Sequence, residues 1–103
     1  MQRGRPVKSA IRQNIIEILS VIGKSYGYRI HKFYNEIFPP TTRENVYYHL
    51  RKGVKLGELA IDEVRQEQGD YSWGRTVEKT YYKVGPKGKP AGDERVKRHF
   101  EKK

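Results

Sequence analysis

A chain of 103 residues is one domain's worth, with room for a single modest core and too little for a catalytic domain beside a binding domain. Cysteine is absent, which excludes disulfides and thiolate metal sites, and no apolar run approaches the roughly 20 residues of a membrane-spanning helix or forms a signal peptide, so a cytoplasmic protein is expected. A formal charge of +10, from 22 Lys and Arg against 12 acids, favours a polyanion as partner, because neutralised phosphates release counterions.

The chain opens on a cationic segment in which residues 1–12 carry Arg3, Arg5, Lys8 and Arg12 and no acid. Ser9 suits the N-cap of a helix in which Ile11, Ile15, Ile18, Leu19 and Ile22 recur at helical spacing, and Gly23 ends it. After a turn at Ser25-Tyr26-Gly27, a second helix carries an apolar stripe of Ile30, Phe33, Tyr34, Ile37 and Phe38. Pro39-Pro40 stops it, since neither ring continues the hydrogen-bond ladder. Helix three opens on Thr41-Thr42-Arg43-Glu44, where Thr41 and Glu44 have capping-box spacing. Its body runs Asn45 to Leu56, with Gly57 as a left-handed C-cap.

The period then changes. Residues 58–65 (ELAIDEVR) and 77–84 (VEKTYYKV) alternate as strands do, and 66–76 (QEQGDYSWGRT) between them reads as the long tip of a β-hairpin. A Gly/Pro/Lys linker follows, and residues 94–103 suit one short charged helix. Residues 85–103 hold seven basic side chains and three acids, whereas residues 13–84 hold eleven and nine. The expected organisation is a basic N-terminal arm (1–8), a nearly balanced globular domain (9–84) and a basic C-terminal tail (85–103). Such arms suit a grip on nucleic-acid backbones; the alternative is a pair of solubilising tails.

Three helices followed by a two-stranded hairpin is an α+β plan, that of the winged helix-turn-helix. The segment TTRENVYYHLRKGVKLGEL (41–59) resembles the recognition helix and first wing strand of bacterial and archaeal winged-helix transcription regulators, and YYKVGPKG (81–88) resembles their second wing strand. The resemblance covers about residues 9–88 and implies the fold, with DNA, RNA or protein as the ligand. Gly53 departs from it, standing where those families place a large apolar residue, which weakens the helix or brings a neighbour closer.

On a helical wheel Val46, Leu50 and Gly53 face inward. Asn45, Tyr48, Arg51, Lys52 and Lys55 face outward, flanked by Arg43 and Tyr47; Arg43, Tyr48 and Arg51 are the first candidates for major-groove contacts. Glu44 also lies outward and is assigned to the capping box. On the wing Arg75 and Lys79 are candidates for phosphates, and Trp73, beside Tyr71, for stacking on bases or on the hairpin itself. Arg3-Gly4-Arg5-Pro6 resembles the core of an AT-hook, in which two Arg side chains enter a narrow minor groove.

His31, His49 and His99 are too dispersed for a ligand set, and no nucleophile elbow, phosphate loop or carboxylate pair is visible, so neither metal, cofactor, small-molecule substrate nor enzymatic activity is expected. His49, beside the core stripe, reads as structural. The leading function is double-stranded DNA binding, as a transcription regulator or chromatin-like factor associated with the nucleoid. The rival is structured RNA, as a component of a ribonucleoprotein such as a ribosomal subunit. A protein-interaction winged helix in a transcription or translation assembly is the third reading. Only Val96 and Phe100 in the C-terminal segment could serve a dimerising helix, which leaves the oligomeric state open.

Overall fold

The computed structural model describes residues 9–68 and 76–101. Its elements are α1 (Ala10–Ile22), β1 (Ser25–Tyr26), α2 (Gly27–Ile37), α3 (Arg43–Leu56), β2 (Leu59–Gln68), β3 (Thr76–Val84) and α4 (Glu94–Glu101). The three helices form where expected, each for a local reason. Ser9 accepts the backbone N–H of Arg12 to cap α1, and Gly23, at φ 91°, ends it. Prolines 39 and 40 follow α2, and Gly57 closes α3 in the left-handed conformation.

These helices bury one face each. Ile15, Ile16, Ile18 and Leu19 of α1 meet Ile30 and Tyr34 of α2, Phe38 just beyond it, and Val46 and Leu50 of α3; Leu59 and Val96 complete the core. Gly53 belongs to this contact. A Cβ there would lie 2.6 Å from Leu59 Cδ1 and 2.8 Å from its Cγ, so α3 comes close to β2 because position 53 has no side chain. Gly53→Ala is expected to lose about 1–2 kcal/mol and several degrees of Tm by overpacking, despite alanine's gain of about 1 kcal/mol in helix propensity. A thermal melt with unchanged or raised Tm would refute it.

Several expectations need correction. Ser25 and Tyr26 form not a turn but a third strand, pairing Ser25↔Tyr82 and Tyr26↔Tyr81 to give the antiparallel order β1-β3-β2, and α2 begins at Gly27. Two residues are too few to show a period, and their conformation is set by a partner strand about 55 residues away. The hairpin strands are longer than expected, from Leu59 to Gln68 and from Thr76 to Val84, with a bulge between Ile61 and Glu63. Residues 66–68 and 76 thus belong to the strands, not the tip.

Arg12 is no part of a cationic arm. It is buried, and its Nε donates to Glu58 Oε1 at 2.7 Å. The basic C-terminal segment is likewise no free tail. Glu17 accepts the backbone N–H groups of Ala91, Gly92 and Asp93, Val96 is fully buried, and Phe100 packs edge-on against Phe33 at 4.9 Å.

Candidate nucleic-acid interface

Helix α3 is placed by the turn before it. The Thr41 N–H donates to Asn35 Oδ1 at 2.9 Å, and His31 Nε2 lies 2.8 Å from the Thr41 carbonyl oxygen, so two α2 side chains hold the approach to α3. The N-cap is Thr42 rather than Thr41, its hydroxyl accepting the Asn45 N–H at 3.1 Å. The residue three after the cap is therefore Asn45, not Glu44. Glu44 is exposed on the outer face, and the capping box expected of Thr41 and Glu44 is not formed.

Val46, Leu50 and Gly53 are buried, which turns Glu44, Tyr48, Arg51 and Lys55 outward as one exposed stripe at i, i+4, i+7 and i+11. Arg43 is exposed at its N-terminal end and Lys52 is half-buried beside it. Tyr48 is 50% exposed. Two further candidates stand elsewhere. The Asn45 amide donates to Thr41 Oγ1 at 2.9 Å, and the Tyr47 ring lies against the backbone of Gly27 and joins the core margin. Tyr47 therefore supports the α2–α3 packing instead of extending the outer stripe.

Most of the charges described on the hairpin strands are paired, with one another or with Lys24. Lys24 pairs with Asp62 and Glu63, Arg65 with Glu63, Lys83 with Asp62, and Lys79 with Glu67 at 3.0 Å. Hydrogen bonds from Lys24 hold the Asp62 and Glu63 carboxyls below their ordinary pKa, and one from Lys79 does so for Glu67. The Lys79 ammonium also stands 4.3 Å from the Tyr26 ring centroid, so this candidate cation has partners on both neighbouring strands, β2 and β1. In contrast, Arg43, Arg51, Lys52 and Lys55 form no ion pair among the described residues. Arg3, Arg5, Lys8, Tyr71, Trp73 and Arg75, and with them the AT-hook-like segment, lie outside the described residues.

Two residues of α2 that the sequence did not single out border this face. Tyr28, 57% exposed, and Lys32 line a groove of about 400 Å³ with His31, Asn35, Glu36 and Arg43, beside the N-terminal end of the α3 stripe. The signal was their place on the polar side of α2, opposite Ile30 and Tyr34. His49, by contrast, is structural. Its Nδ1 accepts from Arg12 Nη1 at 3.4 Å, which requires the neutral ring, and burial followed by the Arg12 charge lowers its pKa below 6.5. Since the folded value is the lower one, this contribution to stability is complete above pH 6.5 and lost as pH falls below it. Tm should decline from pH 7 to 5.5 in the wild type and by less in His49→Gln; identical profiles would refute the assignment.

Three helices, with α3 presented beyond a short turn and a hairpin after it, make the helix-turn-helix and its wing. The computed fold is similar to that of Bacillus subtilis PadR in complex with operator DNA, with a TM-score of 0.57 and 18% identity over 89% of this chain and 47% of that one. It is also similar to a PadR family transcription regulator from Clostridium difficile R20291, with a TM-score of 0.56 and 18% identity over 91% of this chain and 86% of that one. The fold is a winged helix-turn-helix. The chain thus spans less than half the length of the B. subtilis protein. No protein-family model matches the sequence, and no curated protein does. Among the described residues no cluster of three or more acidic or His side chains could hold a metal, and no helix is long and apolar enough to cross a membrane.

Proposed function

We propose that this chain binds double-stranded DNA through the outer face of α3 and acts as a small transcription regulator or chromatin-like factor. One observation carries the reading: the four cations at that face, Arg43, Arg51, Lys52 and Lys55, have no ion-pair partner among the described residues, whereas the described hairpin cations Arg65, Lys79 and Lys83 are each paired with a carboxylate. An exposed helix with unpaired Arg and Lys, lifted from the body by a short turn, suits insertion into a groove about 12 Å wide. Likeness to a PadR protein crystallised on operator DNA supports the same partner. Binding and positioning, with no catalytic chemistry, account for these residues.

Structured RNA is the second reading, favoured by the half-free rings of Tyr28 and Tyr48, which could stack on unpaired bases. Fluorescence anisotropy against a labelled random duplex and a labelled RNA hairpin, over a salt series, separates the two. Tighter duplex binding that survives excess RNA supports DNA. A preference for the hairpin overturns it, and weak binding to both at physiological salt leaves the protein-interaction reading.

A further inference from the structure

The C-terminal end of α3 raises an electrostatic problem for a DNA-binding helix. At 14 residues α3 is about 21 Å long, longer than the major groove is wide, so a helix reading bases from its first turns carries its far end out across a phosphate rim. The last carbonyls of a helix bear partial negative charge, which repels phosphates. Positive charge at that end offsets the repulsion.

The turn after β3 is built there. The Lys87 N–H donates to the Gly57 carbonyl and the Gly85 N–H to that of Glu58, both at 2.8 Å. A Cβ on Gly85 would lie 2.6 Å from the Gly57 oxygen, so the two backbones are as close as glycine allows. This docking lays the stem of Lys87 across the α3 C-cap, its Cδ 3.2 Å from where a Gly57 Cβ would stand. Lys87 and Lys89 then line one cleft of about 330 Å³ with Ser9, Gln13 and Glu58. Ser9 is where residues 1–8 join the body.

The acids nearby are already satisfied. Glu58 is paired to Arg12 at 2.7 Å, and Glu17 accepts three backbone N–H groups. Lys87 and Lys89 are exposed and form no ion pair among the described residues. Lys55 stands in the last turn of α3, the Lys87 stem crosses its C-cap, and Lys89 follows on the same cleft.

We infer that Lys87 and Lys89 form a second DNA-phosphate site, a fixed cationic lip that seats the backbone beside the C-terminal end of α3. It rests on the reading that α3 binds duplex DNA and extends that footprint toward the root of the N-terminal arm. The docked turn holds Lys87, and Gln13 Nε2 donates to the Lys89 carbonyl at 3.0 Å, so neither backbone position has to be ordered on binding. Residues 85–89 are then part of the interface and not a linker.

The test is the salt dependence of affinity for a random duplex, comparing wild type with Lys87→Gln plus Lys89→Gln, which keeps the stems and removes the charges. The control is Lys97→Gln plus Arg98→Gln, which removes as much charge from exposed positions of α4. Each lost phosphate contact lowers the slope of log K against log salt by about 0.9, so the first variant should lose about 1.8 and the control almost none. An unchanged slope in the first variant, or an equal loss in both, overturns the site. If the wild type binds duplex and depends on Arg43 and Arg51 but not on the lysines, only this inference falls. If the wild type binds no duplex, the DNA reading falls with it. Circular dichroism and Tm of each variant verify that the fold is retained.

Discussion

Arg43→Ala combined with Arg51→Ala is expected to lower duplex affinity roughly 10²- to 10³-fold at moderate salt while leaving Tm nearly unchanged. The two effects separate because both side chains are exposed and neither forms an ion pair among the described residues. Surface substitutions of that kind change stability by about 0.5 kcal/mol or less. Each Arg that contacts a base edge is worth about 1–3 kcal/mol of binding, and about 1.4 kcal/mol is tenfold. The manner of loss identifies the contact. If Arg51 reads a guanine, its removal relaxes sequence preference; if it meets a phosphate, all duplexes weaken alike and the salt slope falls by about 0.9. Lys79→Ala is the contrasting variant. Its ammonium is held between Glu67 and the Tyr26 ring, so duplex affinity should change less than twofold. Double-variant affinity within threefold of wild type would remove α3 from the interface.

What was legible in the sequence follows the physics of short-range order. The α3 stripe was legible because a 14-residue amphipathic helix repeats its pattern, so burying Val46, Leu50 and Gly53 fixes which side carries Tyr48, Arg51 and Lys55. Gly53 even signalled a close neighbour, which is Leu59. The pairing of β1 was not legible, since a two-residue strand exists only through Tyr81 and Tyr82. Nor was the N-cap: Thr41 and Thr42 are equivalent in sequence, but the Thr41 N–H donates to Asn35 Oδ1 and its hydroxyl accepts the Asn45 side-chain amide, which leaves the cap to Thr42. Charge counting could not reveal the partners of Arg12 and Lys79: Arg12 of α1 pairs with Glu58 in the turn after α3, and Lys79 of β3 with Glu67 of β2. The candidate site was thus legible as a helix face, and which of its cations are paired needed the tertiary structure.

Glu17→Gln is expected to destabilise the protein by about 2–4 kcal/mol at neutral pH, a Tm drop of roughly 10–20 °C for a domain this small. Glu17 is a buried acid of α1, one turn after Gln13, and its two oxygens hold the chain before α4. Oε2 accepts Ala91 N–H at 2.6 Å and Gln13 Nε2 at 2.8 Å; Oε1 accepts Gly92 and Asp93 N–H at 3.0 and 3.1 Å. Glutamine cannot reproduce this. Its NH2 faces donors wherever it points, so at least one backbone N–H is orphaned and the remaining bonds lose their charge. Asp93, fixed by this clasp, accepts the Arg95 and Val96 N–H groups at the start of α4, whose Val96 is fully buried. Hydrogen exchange in residues 91–101 should therefore accelerate first, with α1 to α3 following less. The dependence on pH gives an independent check. Burial alone would raise the Glu17 pKa, but the bonds from Ala91, Asp93, Gln13 and Gly92 outweigh it and hold it below 4.5. A folded value below the unfolded one gives stability that is complete above pH 4.5 and disappears as pH falls through the folded value. The Tm gap between wild type and Glu17→Gln should thus be widest at neutral pH and close progressively below pH 4.5. A gap that stays constant down to pH 3 would mean that the carboxylate charge plays no part in holding α4 to the body.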